Sequence, residues 1–338
     1  MEGELVRRAG IPFEAIPAAG VHGVGWRALP GNLLQLARGL LAALRILANF
    51  KPQVMFFTGG FVAVPIALAG ILPRPGQRRP RSLLYVPDIE PALALRTLAR
   101  FANRIAITVE ATRIYFDRRP ELIVTGYPVR ADLQRWSREQ ALQAIQVSPQ
   151  LPTLLVFGGS KGARSINQAV LRTLPELLRE VQVIHISGTL DWPEVQAHRD
   201  QLAGSLGQDM LLRYKAFPYL HAEMGAALTV ADLVVCRAGA STLGELPLFG
   251  VPAILVPYPY AWRYQQVNAQ YLAERGAALV LQDAEMSLGL LPLVRDLIHN
   301  PEKLARMRAA MSSLAKPEAA KHIAAEIWSL AAPIGGSL

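Results

Sequence analysis

Three turns in the sequence carry residues able to hold and activate a charged ligand. The first follows Leu154-Leu155-Val156-Phe157 and reads Gly158-Gly159-Ser160-Lys161-Gly162-Ala163. A short apolar strand running into glycines, with a helix starting near Ala163, aims backbone amides and a positive helix end at one point, which suits a phosphate. Strand-to-helix turns also use glycine for steric reasons alone, so both readings stand. The second turn follows Leu233-Val234-Val235-Cys236 and reads Arg237-Ala238-Gly239-Ala240-Ser241-Thr242-Leu243-Gly244-Glu245. Ser241 and Thr242 can cap a helix, and Glu245 can accept two hydrogen bonds from vicinal hydroxyls such as a ribose's. The plainer alternative makes Glu245 part of an N-terminal cap. The third stretch, Pro257 to Asn268, sets aromatic rings and amides on a loop after another strand.

These turns need a scaffold, and the sequence supplies one. Apolar β-rich runs recur at Val54–Phe57, Ser82–Val86, Ile105–Val109, Leu122–Val124, Thr153–Phe157, Val181–Ile186, Leu233–Cys236 and Ala253–Val256, with helical spacing between them. Strands alternating with helices predict parallel sheets of βαβ units, a doubly wound α/β fold, with ligands beyond the carboxyl ends of the strands where the three turns converge. A polar helix over Leu133–Ile145 and the segment Ser148-Pro149-Gln150-Leu151-Pro152 mark a boundary near residue 150. The division expected is therefore 1–150, then 151–316, two α/β domains facing one cleft. A last segment, 317–338, begins at the break before Pro317 and carries Ile323, Ile327 and Leu330 on one helical face.

Composition narrows the function classes. The 338 residues are 51% hydrophobic and 18% charged, which excludes a disordered or collagen-like chain. Cys236 is the only cysteine and the six histidines are scattered, so neither a disulfide framework nor a metal site is expected, and a reducing cytoplasm is the natural compartment. The net charge of +9 favours an anionic partner; because the basic residues are spread along the chain, nucleic acid is not the partner expected. Val54–Leu72 lacks charge over 19 residues, yet Gly59, Gly60 and Pro65 interrupt it as a strand, turn and helix would. Leu33, Leu36, Leu40, Leu44 and Leu47 form one stripe with Arg38 and Arg45 off it: a helix packed on its own sheet, or one resting partly on an anionic bilayer.

Taken in order, TGYPVR, GGS-KGA, CRAGASTLGE and PxILVPYPYA...QQVNAQYLAERGAA resemble the bacterial MurG family. These family 28 glycosyltransferases have a two-domain GT-B fold and move N-acetylglucosamine from its UDP donor to lipid I. The resemblance implies an inverting transferase of peptidoglycan synthesis at the cytoplasmic face of the membrane, with no cofactor and no metal. Its partners would be UDP-N-acetylglucosamine, a polyprenyl-diphosphate-linked muramyl peptide and an anionic membrane surface. Position by position, it implies Ser160 on the diphosphate and Arg130 reaching the diphosphate or sugar from the other domain. Leu220 and His221 would hold uracil, Ala240, Ser241 and Thr242 would line the second helix start, and Glu245 would take the ribose. Gln265, Gln266 and Asn268 would hold the sugar hydroxyls, and the last helix would return to the N-terminal domain.

Two departures accompany the resemblance. The family's glycine-rich GGTGGH loop is absent, which implies either an upstream start or a shortened form. A shortened form would be a non-catalytic UDP-sugar-binding subunit needing a partner; a transferase for another lipid acceptor is a further alternative. The family's HEQN is replaced by Tyr85-Val86-Pro87-Asp88, and Asp88 and Glu90 are the carboxylates expected to act as base or orienter, or else to belong to a solvated, helix-capping loop. His22, in a glycine loop, could touch the acceptor, while His185 and Cys236 read as packing residues.

Overall fold

The computed structural model describes residues 3, 6–7, 9–18, 29–60, 62–74, 76–116, 120–159, 161–204, 206–260 and 263–332. Two compact units emerge, one of Met1–Thr125 with Lys321–Leu338, the other of Gly126–Ala320.

The first unit opens with the long helix α1 (Leu29–Phe50), followed by β1 (Val54–Phe57), α2 (Ala63–Ile71), β2 (Arg81–Val86), α3 (Leu93–Ala99), β3 (Arg104–Ile107) and β4 (Glu121–Val124). The strands pair in parallel in the order β1-β2-β3-β4. Val54–Leu72 is thus a strand, a glycine turn and a nine-residue helix, too short to span a bilayer. On α1 the leucine stripe is graded: Leu47 is buried, Leu36, Leu40 and Leu44 are half-buried, and Leu33 is exposed along with Leu34 and Leu41. Helix α1 is long and apolar enough to cross a membrane, though a helix packed on a core passes the same test.

The second unit begins with a 3₁₀ turn (Ala131–Arg135) and α4 (Arg138–Ile145), separated where Ser137 forms a reciprocal capping box with Gln140. There follow β5 (Thr153–Phe157), α5 (Arg164–Glu180), β6 (Gln182–Ile186), α6 (Trp192–Ala203), α7 (Gln208–Leu211), β7 (Tyr214–Phe217) and α8 (Glu223–Val230). Then come β8 (Leu233–Cys236), α9 (Thr242–Phe249), β9 (Ala253–Leu255), α10 (Tyr264–Glu274), β10 (Ala278–Val280), α11 (Met286–Ile298) and α12 (Pro301–Ser313). Its parallel sheet runs β10-β9-β8-β5-β6-β7, with β6 and β8 buried throughout as strands covered on both faces require.

The units divide at residue 125, not near 150, and packing explains why. Trp136 Nε1 donates to the Ala222 carbonyl at 3.0 Å. The Leu133 carbonyl sits so close to Gly225 that a Cβ there would collide with it, so only glycine lets the 131–145 segment seat on α8. The final helix, α13 (Ala319–Ala331), has Glu326 and Ser329 each 2.8 Å from Arg104 Nη1 at the start of β3.

Candidate functional site

Strand order locates the site before any side chain is considered. The chain enters the second sheet at β5, builds outward through β6 and β7, then returns to β8 on the other side. Connections therefore leave β5 and β8 in opposite directions, opening a crevice beyond their carboxyl ends where open α/β sheets bind ligands. The turns bordering it are Gly158–Ala163 and Arg237–Ser241, the two glycine turns singled out in the sequence.

The first turn is held by close approach. Gly162, at φ 83°, touches the Ser187 carbonyl at the end of β6, leaving no room for a Cβ. Gly159, at φ 91°, faces open space, so its glycine serves backbone conformation instead. Helix α5 starts at Arg164 without a side-chain cap, so its first amides and positive dipole end are available to an anion. A buried polar network fixes the floor. Asn167 Nδ2 donates to the Ser187 carbonyl (2.9 Å) and Asp191 Oδ2 (2.8 Å), which leaves Asn167 Oδ1 to accept from His185 Nε2 at 2.9 Å. His185 is thereby the neutral Nε2–H tautomer, its Nδ1 accepting from the Tyr214 hydroxyl at 2.8 Å, and burial pushes its pKa down to about 4. Asp191 lies 3.4 Å from Arg164 Nε at the rim.

The second turn is organised by Arg237, which sequence reasoning passed over. Its guanidinium, 10% exposed, pairs with Asp283 and donates to Ser165 Oγ (2.8 Å) and the Val256 carbonyl (3.2 Å). It also lies 5.2 Å from the Tyr258 ring centroid. One arginine therefore ties the ends of β8 and β9 to the start of α5. Its position directly after an apolar strand is a signal; Asp283, 46 residues away, gave none. Around these groups lies an open cleft of ≈ 1210 Å³ bordered by Gly158, Lys161, Arg164, Arg237, Tyr258 and Gln265, among others.

The remaining expected residues fall in three places. Gln265 borders the cleft, its Oε1 accepting from the Tyr258 amide at 2.9 Å, and Gln266 is half-buried beside it on α10. Asn268 is fully buried and donates to the Ala238 carbonyl at 3.1 Å, so its amide nitrogen braces the second turn instead of projecting to a sugar. A second cluster gathers Arg130, His221 and Glu245. Arg130 Nη2 donates to the His221 carbonyl at 3.4 Å, and Tyr127 packs on Gly244, so the YPVR segment belongs to the second unit and does not reach in from the first. The His221 and Tyr219 rings meet edge to face at 4.8 Å, with half-buried Leu220 between them in sequence.

Glu245 is half-buried on α9, and burial raises its carboxyl above the usual 4.5, opposed by Arg130 and by a hydrogen bond from Ser241. It therefore stands one turn inside the helix and does not complete a capping box. Ala240 and Ser241 are partly accessible, while Thr242 is buried with its hydroxyl on the Gly239 carbonyl at 2.6 Å.

Ser160 and His22 lie outside the described residues. In the first unit Glu90 is 5% exposed and pairs with Arg96 at 3.3 Å. Asp88, half-buried past the end of β2, is the more accessible carboxylate. Tyr85 is buried against Thr108 at 3.0 Å, and Cys236 is buried, its thiol pushed up by desolvation, hence packing and no nucleophile. Among the described residues no three His, Cys, Asp or Glu side chains form a metal cluster.

Known proteins share this organisation. The glycosyltransferase family 28 C-terminal domain matches residues 153–323 and the glycosyltransferase family 28 N-terminal domain matches residues 1–77. UDP-N-acetylglucosamine--N-acetylmuramyl-(pentapeptide) pyrophosphoryl-undecaprenol N-acetylglucosamine transferase of Desulforudis audaxviator (strain MP104C) is 41% identical over 331 residues, covering 94% of this chain and 84% of that protein. The protein of the same name from Roseiflexus sp. (strain RS-1) is 39% identical, covering 96% of this chain and 80% of its own. The crystal structure of Acinetobacter baumannii MurG superposes with a TM-score of 0.72 at 24% identity, over 97% of this chain and 88% of that one. A putative UDP-N-acetylglucosamine 2-epimerase from Listeria monocytogenes, at 13% identity, shares the fold with a TM-score of 0.67 over 96% of this chain and 85% of that one. The fold is GT-B, and the chain belongs to glycosyltransferase family 28 and, within it, to the MurG family.

Proposed function

We propose that the crevice of the second unit holds UDP-N-acetylglucosamine, the donor in a transfer that the first unit completes on the acceptor. The chain is a UDP-N-acetylglucosamine-dependent hexosyltransferase that converts lipid I to lipid II in peptidoglycan synthesis. The observation carrying the site assignment is the coincidence of the sheet's switch point with an uncapped helix start and two glycine turns.

Departure of UDP places negative charge on its diphosphate. The first amides of α5, the backbone around Gly159 and the side chains of Lys161 and Arg164 stabilise that charge, lowering the barrier where charge develops. Ser160, next in the sequence after Gly159, is the hydroxyl we assign to the same diphosphate. Glu245 accepts from the ribose hydroxyls, and that bonding selects its ionised form against the burial that raises its pKa. Backbone groups at Leu220 and His221 take the uracil, Arg130 sets the ends of that cluster, and Ala240, Ser241 and Thr242 shape the second helix start. Gln265 and Gln266 take sugar hydroxyls, while Asn268 acts at one remove by holding Ala238. Attack by the acceptor hydroxyl on the opposite face inverts the sugar and requires loss of a proton. Asp88 is our choice of base, because it is the more accessible of the two carboxylates. The lipid-linked acceptor sets the place of work at an anionic membrane surface, with exposed Leu33, Leu34 and Leu41 of α1 as the apolar contact.

The test is transfer of labelled N-acetylglucosamine from UDP to a lipid I analogue by the purified chain. Product formation with inversion is expected. UDP binding without transfer would move the account to a donor-binding subunit.

A further inference from the structure

At the opposite end of the first unit's sheet from Asp88 lies a cavity of ≈ 660 Å³. It is bordered by Lys51 just past α1, by Arg74, Arg78 and Arg79 of the connection after α2, and by Arg81 at the start of β2, with Leu330 of α13 along one side. Strand β2 is six residues long, so about 20 Å separates this end from the carboxyl end that leads to Asp88.

Five cations surround this space, and none pairs with a carboxylate among the described residues. Three arginines elsewhere in the same unit are compensated: Arg96 by Glu90, Arg104 by Glu121 and Glu326, Arg113 by Glu110. Gathering like charges without counter-charge is unfavourable in the empty protein. The connection is nonetheless pinned in place. Arg74 Nη1 donates to the Ala69 carbonyl at 2.7 Å and Gln77 Nε2 to the Ala48 carbonyl at 3.1 Å, which closes the carbonyl ends of α2 and α1. Those bonds satisfy two helix-end carbonyls, while Arg74 Nε is left buried with no hydrogen-bond partner. Lys51 holds a φ of 50°, a left-handed conformation that glycine or asparagine adopts at less cost. A left-handed Lys51, cations with no carboxylate partner among the described residues and a buried donor without a hydrogen bond meet at one concave site.

We propose that this cavity binds a multiply charged phosphate group, apart from the donor crevice of the second unit. Two sources share that chemistry, a free polyphosphate and the headgroup of an anionic phospholipid. Both would be held by charge-assisted hydrogen bonds from the arginine forks.

The experiment is titration calorimetry of the full chain with inorganic diphosphate, at low salt and with saturating UDP present to fill the donor site. Alongside it, the chain is sedimented with phosphatidylglycerol or phosphatidylcholine vesicles. Both measurements compare wild type with Arg78→Gln/Arg79→Gln/Arg81→Gln. Diphosphate binding weakened about tenfold or more in the triple variant supports the site with a soluble ligand. Retention on phosphatidylglycerol alone, lost in the triple variant, supports it with a lipid headgroup. Absence of both, or a variant that behaves as wild type in both, overturns it. Because the variant removes unpaired like charges, it is expected to melt no lower than wild type in phosphate-free buffer. If it melts early, the single variants Arg78→Gln and Arg79→Gln, both at exposed positions, carry the same comparison with a weakening of about threefold each.

Discussion

In the second unit the strand order reverses at β5, whereas the four described strands of the first unit run β1-β2-β3-β4 without reversal. The same strand-helix unit therefore produces a ligand crevice in one sheet and none of that kind among the described residues of the other. Polar groups follow the same division. At the crevice, the half-buried Arg237–Asp283 pair and the buried Asn167–His185 pair each sit in a hydrogen-bonded network, which preorganises the two turns. In the first unit the cations around the basic cavity pair with no carboxylate among the described residues, and on strand β1 Met55 and Phe57 are buried while Phe56 between them is 42% exposed. The proposed donor site is thus a socket braced by polar networks. The first unit keeps apolar and cationic side chains exposed, as expected of a protein whose second substrate is a lipid.

That contrast can be broken, starting with the largest effect. Asp88→Asn should lower kcat by about 10²–10⁴-fold with UDP affinity unchanged, because it removes the proposed base and no proposed donor contact. Glu90→Gln should instead weaken the anchoring of α3 and lower the melting temperature, since its partner is Arg96. A loss of UDP affinity in Asp88→Asn would merge the two roles.

Next comes the floor of the socket. His185 has a folded pKa of about 4, below its ordinary value, so stability is complete above roughly pH 6.5 and declines as pH falls through that value, where the unfolded chain takes up the proton first. The decline should total up to about 3 kcal/mol by pH 4 and vanish in His185→Gln, measured by denaturant titration across that range.

Glu245 sharpens the donor side. Glu245→Ala should weaken UDP about 10–100-fold and abolish discrimination against 2′-deoxy-UDP. In the wild type the raised carboxyl must ionise to bind, so affinity should fall as pH drops through a value above 4.5, with a proton released on binding. The smallest effect belongs to α1: Leu33→Ser/Leu41→Ser should reduce binding to anionic vesicles a few-fold while leaving soluble-donor binding alone.

Much of this was legible in the sequence where physics is local. Runs such as Val54–Phe57, Thr153–Phe157 and Leu233–Cys236 are strands over the expected residues, because unbroken apolar β-rich segments fit a buried parallel sheet. Tyr214–Phe217 was missed because Lys215 interrupts its pattern, and Ala278–Val280 because three residues carry no periodicity. The boundary near 150 was read from composition, which marks a loop; the packing of Gly225 under Leu133 decides the boundary and has no local signature. For the candidate site, Gly162 is visible as a residue type just past a strand and Glu245 as a carboxylate just inside the helix after β8. The Arg237–Asp283 tie and the burial of Asn268 depend on contacts between distant segments, which one sequence does not display.

The most direct test of the donor assignment is amide hydrogen exchange with and without UDP. Protection is expected over 158–166 and 237–246, with none over 81–96. Protection confined to 81–96, or none in either glycine turn, would contradict the placement of the donor at the switch point of the second sheet.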